Sequence, residues 1–388
     1  MKVFEGIRIV DFTTFLAGPY LCRLLADLGA EVIKVEAEMP ETYRMLAIAF
    51  ATQNRNKRSI SLDLKKEEGK AIVRELVKKA DIVVENARPG VMQRLGFDYA
   101  CCKELNPDVI YVSASGFGAK GPLASLPGLD PLASAFSGQM VNTCGPDNPP
   151  IYPKVTSTDV GVSALGAFGV AMALFNRVKT GKGQKVDTSL LHSAIAFATN
   201  TFIDYPGIKR QYIDDRSPKG KCATSRLYCG IDGKWFFVHC NNEEDWKNLC
   251  KTAYLEYLIE DPRFADPAER LKNDDTLVQI FAQCFALAYA ENWVSVLRKN
   301  NVPAAPALYE QEIYNEPHFQ ENGIFIWQEH PDIERSQLAG FPAEFSNIEN
   351  VLEKRAPLLG EHTAEILTEL GYDKERIEKL KKDKVIFW

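Results

Sequence analysis

Within the first 120 residues, strand-like and helix-like segments alternate without a break, and this constrains the fold more than any other feature of the chain. IRIVDF (7–12), EVIKVE (31–36), DIVVEN (81–86) and DVIYVSASGF (108–117) are short runs rich in branched apolar residues. Between them lie AGPYLCRLLADLG, with Gly29 as its stop, the amphipathic KKEEGKAIVRELVKKA, and GVMQRLGFDYACCKEL, each with helical periodicity. A βαβ series of this kind builds an α/β fold with a mostly parallel sheet and helices on its faces. Proline and glycine thicken from Gly116 to Pro153, which predicts a long loop region there.

The character changes after about residue 200. RLYCGIDGKWFFVHC (226–240) predicts a hairpin around Asp232–Gly233, helical sequence follows from Glu244 to Asn300, and VPAAPALYEQEIYNEPHF runs extended. Residues 225–315 therefore form a smaller α+β domain, with 1–200 and 320–388 as the large domain and 201–224 and 316–319 as linkers. The tail from Ala356 to Ile386 predicts two short amphipathic helices that pack back on the large domain.

A net charge of −6 carries no basic footprint for nucleic acid. The nine cysteines show no C-x-x-C and no metal-ligand spacing, which fits a reducing, cytoplasmic setting and no metal. The N-terminus lacks the pattern of a signal peptide, and the most apolar window, Val160 to Phe175, is shorter than a bilayer span, so no membrane segment is expected.

Three places carry candidate chemistry. The turn DFTTFLAGPY (11–20) brings small residues to the start of a helix, where phosphate binds readily, although it lacks G-x-G-x-x-G. Lys57, Arg58 and Lys65 lie near strand ends, and Arg88 and Arg94 flank a Pro-Gly turn, a distribution that suits a polyphosphate or a solvated face. Asp159 stands at the head of a helix predicted over 160–178 and stopped by the glycines of TGKGQ. An aspartate there is an ordinary N-cap, or it is a nucleophile kept ionised by the helix amides; the spacing does not choose.

Taken together, IRIVDFTTFLAGPYLCRLLADLGAEVIKVE, NRNKRSISLDLK, VVENARPGVMQRLGFDY, LNPDVIYVSASGFGAKGP, PGLD, Asp159 with TGKGQKVD beginning 21 positions later, GIDGKWFFVHCNNEEDWKNLC, VPAAPALYEQE and PLLGEHTAEIL resemble the class III CoA-transferases. That family also contains α-methylacyl-CoA racemase. The resemblance implies a large Rossmann-like domain drawn from both ends of the chain, a small middle domain and an interlinked homodimer. It implies acyl-CoA and a small carboxylic acid as substrates, with no tightly bound cofactor, and Asp159 as the nucleophile that forms an aspartyl anhydride and then an aspartyl-CoA thioester. Carried over position by position, it places Thr14, Phe15, Ala17, Leu62, Lys65, Asn86, Arg88 and Arg94 against CoA.

The chain departs from the family at several positions. Leu16 replaces the glutamine of formyl-CoA transferase, which argues against strict formyl or oxalate specificity; SPKGKCATS (217–225) stands where that enzyme has a glycine-rich loop. Ala37 and Glu38 stand where some members carry an arginine, and Arg44 is the candidate to replace it. Leu129, 30 residues before Asp159, replaces the racemase histidine, and leucine moves no proton, so transfer is favoured over epimerisation. His192, His239, His318, His330 and His362 match no racemase position. Phe12, Phe15, Phe136, Met140 and Tyr152 are candidates for an acyl pocket.

Overall fold

The computed structural model describes residues 2–39, 41–143, 148–199, 202–207, 218–348 and 353–388. Strands β1 (Arg8–Asp11), β2 (Glu31–Glu36), β3 (Lys57–Leu62), β4 (Ile82–Glu85), β5 (Ile110–Ser115) and β6 (Lys185–Ser189) are mutually parallel and lie in the order β3-β2-β1-β4-β5-β6. Alternation along each strand divides their apolar side chains between two faces. Val10, Ile33, Val35, Ile60 and Val83 join Ile72, Val73, Leu76 and Val77 of the helix Glu67–Lys78 in one buried cluster. Ile9, Val32, Ile82, Val84, Ile110 and Val112 join Leu21 and Leu25 of the helix Ala17–Ala26, and Val170 and Ala173 of the helix Ser157–Thr180, in another.

Contacts divide the chain into two compact units: Met1–Gln139 with Pro153–Ile203 and Gln320–Trp388, and Met140–Tyr152 with Asp204–Phe319. The second unit holds β7 (Gly220–Cys222), β8 (Ser225–Cys229), β9 (Trp235–His239) and β10 (Ala304–Pro306) as an antiparallel sheet in the order β10-β9-β8-β7. Gly233 takes φ 74°, as the predicted hairpin turn requires. Phe236, Trp246, Phe281, Phe285 and Trp293 form its core.

Several local expectations are corrected. The single helix expected over 90–105 is two, Val91–Leu95 and Tyr99–Leu105, because Gly96 turns left-handed and Asp98 caps the second by accepting from Cys101 N–H. The loop region 116–153 carries helices Asp130–Phe136 and Gln139–Asn142. Of the extended run after Val302, only β10 is strand; Glu310–Ile313 and Pro317–Glu321 are helical turns. Strand β6, the hairpin β11 (Phe325–His330) with β12 (Glu334–Ala339), and β13 (Ile386–Phe387) carry too few branched apolar residues to announce themselves in sequence. The two tail helices, Thr363–Glu369 and Lys374–Lys382, do form. Strand β13 then pairs antiparallel with β3, and Thr363 Oγ1 accepts from Ser61 N–H, tying the tail to the large sheet.

The helix Ser157–Thr180 has 24 residues, longer than its apolar window alone suggested, and by length and composition it is long and apolar enough to cross a membrane. Its small-residue face is packed within the first unit: a Cβ on Gly166 would lie 2.3 Å from Leu21 Cδ1, and one on Gly161 would lie 2.1 Å from the Phe197 ring.

Candidate active site

In a sheet of this order the chain runs outward in opposite directions from β1 and β4, leaving a crevice beyond their carboxyl ends where ligands bind. The loops leaving those two strands meet directly. Asn86, just after β4, accepts from Thr14 N–H at 2.9 Å and donates to Thr14 O at 2.7 Å, a peptide-like double contact. The Asn86 side chain expected to face CoA therefore grips the turn first. Gly18, in the helix behind, could not be alanine unless something moved, since a Cβ would come 2.3 Å from Thr13 Cβ. The helix Ala17–Ala26 has no side-chain cap, so no capping side chain takes the amides of Ala17 and Gly18 at its start, and a helix N-terminus is a favourable place for a negative oxygen.

Asp159 approaches the same turn. It is the third residue of Ser157–Thr180, in the first turn rather than at the N-cap, and the cap position, Thr156, makes no side-chain cap bond. Asp130 takes that role from outside the helix: Thr158 N–H, the Thr158 hydroxyl and Asp159 N–H all donate to Asp130 Oδ2, at 2.9, 2.6 and 3.1 Å. The amides expected to keep Asp159 ionised are thus spent on a different carboxylate. Burial, and after it the negative charge of Asp130, push the Asp159 carboxyl up to about 7. The Ser163 hydroxyl lies 2.6 Å from Ala17 O and 2.7 Å from Asp159 O, tying the first turn of Ser157–Thr180 to that of the other helix.

Asp130 owes its position to two glycines. A Cβ on Gly128 would lie 2.2 Å from Gly116 Cα, so the chain leaving β5 and the chain entering Asp130–Phe136 touch backbone to backbone. Gly128→Ala is expected to destabilise the protein by about 1–3 kcal/mol. It should also draw Asp130 off the helix amides; thermal melting and transfer rate measured together check both effects.

The remaining expected residues are spread along the same carboxyl edge. Thr14, Phe15, Lys65, Arg88 and Arg94 are exposed, while Ala17 and Leu62 are buried. Lys57 and Arg58 are corrections. Lys57 is fully buried and paired with Asp11 at 2.8 Å, and Arg58, next to it at the amino-terminal end of β3, is held by Glu31, Glu365 and Glu369. Arg44 is likewise committed, to Glu36 at 2.6 Å and to Pro357 O at 2.9 Å, and so is a poor substitute for the missing arginine. Phe12 stacks on Phe97 in the core, whereas Phe15, Phe136 and Tyr152 are exposed; Met140 and Tyr152 fall in the second unit. The segment proposed against the glycine-rich loop begins at Ser217, outside the described residues, and continues as β7 and the turn into β8. Leu129 is half exposed immediately before Asp130. Among the histidines, His239 is bonded on both ring nitrogens, to Ser225 Oγ at 2.8 Å and Asn241 Oδ1 at 2.7 Å.

Asp130 as a cap, Ser163 as a tie, and Glu41 and Tyr43 as neighbours of the turn escaped the sequence reading. Each acts across a long separation, and no local pattern marks such a contact.

Residues 4–363 match the family described as CoA-transferase family III. The succinyl-CoA:glutarate CoA-transferase of Mus musculus is 33% identical over 98% of this chain and 89% of its own length. The acetyl-CoA:oxalate CoA-transferase of Acetobacter aceti is 36% identical over 83% and 85%. A crystal structure of a CAIB/BAIF family protein from Brucella suis superposes with a TM-score of 0.86 at 30% identity, covering 95% of this chain and 99% of that one. With the parallel sheet, the crevice and the aspartate-bearing helix already in place, these similarities establish that the chain belongs to CoA-transferase family III and is a CoA-transferase, an enzyme that takes acyl-CoA as substrate.

Proposed function

We propose that Asp159 is the covalent nucleophile of the transfer. The observation that carries this reading is a half-buried carboxylate held at the switch point, beside a helix N-terminus whose amides no side chain caps. The Asp159 carboxylate attacks the thioester carbonyl of the donor, giving an aspartyl mixed anhydride and releasing CoA thiolate. The thiolate attacks the aspartyl carbonyl, which frees the donor acid and leaves an aspartyl-CoA thioester. The acceptor carboxylate attacks that thioester to form a second anhydride, and the returning thiolate takes the new acyl group, restoring Asp159. One activated acyl bond is kept throughout, since each step exchanges one for another, while the acyl group that carries it passes from donor to aspartyl to acceptor. The open amides of Ala17–Ala26 are placed to receive the oxygen that becomes negative at each addition.

Thr14, Phe15 and Ala17 then form the floor under the pantetheine arm and phosphates, Leu62 and Lys65 meet the nucleotide, and Lys65, Arg88 and Arg94 are the exposed cations for the phosphates. Asn86 supports that floor through Thr14. The unit with the seven-stranded sheet is the large CoA-binding domain, and the unit with the antiparallel sheet the small one. An interlinked homodimer is supported by the stripe Leu165, Phe168, Met172 and Phe175, which leaves large side chains exposed along one helix face, with Phe136 and Phe197 exposed as well. A reducing, cytoplasmic setting is supported by eight free thiols among the described residues.

The acceptor in this reading is a medium or bulky carboxylic acid rather than formate, on the grounds of Leu16 and the exposed rings of Phe15 and Phe136. Mass spectrometry of the intact protein after exposure to mixed acyl-CoAs, with and without hydroxylamine, tests both points. An acyl or CoA mass on the Asp159 peptide is expected, removed by hydroxylamine and reformed with bulky donors. A clean protein that still transfers CoA would sink the covalent role. A panel in which formate or oxalate alone reacts would sink the acceptor class.

A further inference from the structure

The turn from β1 into Ala17–Ala26 is held by side chains at successive backbone groups. Thr13 N–H donates to Asp11 Oδ1 at 2.8 Å, and Thr13 O accepts from Lys34 Nζ at 2.6 Å. Thr14 gives both its amide and its carbonyl to Asn86. Phe15 N–H donates to Glu41 Oε2 at 2.6 Å. Asp11 and Lys34 stand on strands and Asn86 directly follows one, but Glu41 lies in the segment that follows β2.

Phe15 is also where the turn is strained. Its φ of 62° lies in the left-handed region, which costs a residue with a Cβ about 1–2 kcal/mol and persists only where its surroundings enforce it. The Glu41 side chain is 10% exposed, and its second oxygen, Oε1, is buried with no hydrogen-bond partner, 3.4 Å from Lys34 Nζ. The charge of Lys34 compensates that oxygen, but the local helix makes no use of the side chain: Glu41 precedes the single-turn helix Thr42–Met45 yet makes no side-chain cap bond to it. What it does hold is the kink. That kink sets the direction of the open first turn of Ala17–Ala26 and of the exposed Phe15 ring, on whose edge Tyr43 packs with centroids 5.7 Å apart. Burial, followed by the charge of Asp159, raises the Tyr43 phenol, so the segment carrying Glu41 stands close to the nucleophile as well.

We infer that Glu41 is a positioning residue for the transfer: by bonding Phe15 N–H it keeps Phe15 left-handed, and thereby aims the open helix amides at the acyl carbonyl on Asp159. The inference rests on the reading of Asp159 as nucleophile. Glu41 touches no reacting atom and acts through Phe15.

A mutant cycle on the full-length protein separates this role from a merely structural one. Glu41→Gln keeps an oxygen for the Phe15 amide and is expected to stay within about threefold of the parent. Glu41→Ala is expected to lower kcat by about 10–100-fold, with KM for acyl-CoA changed much less because Lys65, Arg88 and Arg94 still hold the phosphates. Glycine reaches φ near +60° unaided, so in a Phe15→Gly background the same Glu41→Ala change should alter kcat by less than threefold. Equal losses in both backgrounds, or Glu41→Gln as slow as Glu41→Ala, would overturn the inference. Because the cycle is read from steady-state CoA transfer, it decides the role of Glu41 even if no adduct forms on Asp159, a result that would instead remove the nucleophile assignment.

Discussion

Asp159→Asn is expected to lose CoA transfer by at least about a thousandfold, to form no hydroxylamine-sensitive adduct, and yet to be more stable than the parent at neutral pH. Loss of activity follows from loss of the attacking oxygen in the proposed mechanism. The gain in stability follows from the raised carboxyl of Asp159, about 7 against an ordinary value of 3.8. For an acid whose folded pKa lies above its unfolded one, folding favours the protonated form. Its contribution is fully present below the unfolded value and is lost as pH rises through the folded value. At pH 8 the ionised Asp159 therefore opposes folding by on the order of 2–4 kcal/mol, a burden that asparagine does not carry. Denaturant unfolding of both proteins from pH 4 to pH 8 checks this. Their stabilities should converge at the acid end and separate in favour of Asp159→Asn as pH rises; parallel curves would mean that Asp159 is not held in an adverse field.

Asp130→Asn is expected to move the acid limb of the pH–rate profile downward. In the proposed mechanism Asp159 must be ionised, so with a pKa of about 7 only about a tenth of the parent molecules are ready at pH 6. The charge of Asp130 is the second cause of that raised value, after burial. An asparagine oxygen can still accept from Thr158 N–H and Asp159 N–H, so the helix start stays capped while the repulsion disappears. The variant should consequently gain relative rate at pH 6 and show little change in the shape of its profile above pH 8. Profiles of kcat/KM across that range provide the measurement. An unshifted limb would assign the raised pKa to burial alone.

Much of this was legible before any coordinates. The alternation of IRIVDF, EVIKVE, DIVVEN and DVIYVSASGF with amphipathic segments required a parallel sheet, because short parallel strands need helical crossovers between them. The Asp232–Gly233 hairpin and the glycine stop after Thr180 were equally plain, since turns and caps depend on residues that are neighbours in sequence. Strands β6 and β11–β13 were not legible, since polar residues such as those of KVDTS and ERSQLA form strands only when an existing sheet edge or partner strand is offered.

The site divides in the same way. Asp159 and the turn 11–20 stand out locally, as a charge heading an apolar run and as small residues between a strand and a helix. Which cations remain available did not stand out. Lys57 and Arg58 look like ligand residues in a string of letters, yet buried Asp11 and a group of three glutamates neutralise them, whereas Lys65, Arg88 and Arg94 stay exposed.

By itself, then, the sequence determined the class of fold, the alternation of strands and helices in its first 120 residues and the candidacy of Asp159, which rest on periodicity, short-range pattern and family resemblance. Only the tertiary structure decided the state of that carboxylate. Asp130 takes the helix amides from 29 residues away, counted to Asp159, Ser163 reaches Ala17 across 146, and Glu41 bonds Phe15 across 26. Charge, burial and hydrogen bonding act through space over a few ångströms, and the distance along the chain between two interacting groups leaves no periodic trace for a sequence to display.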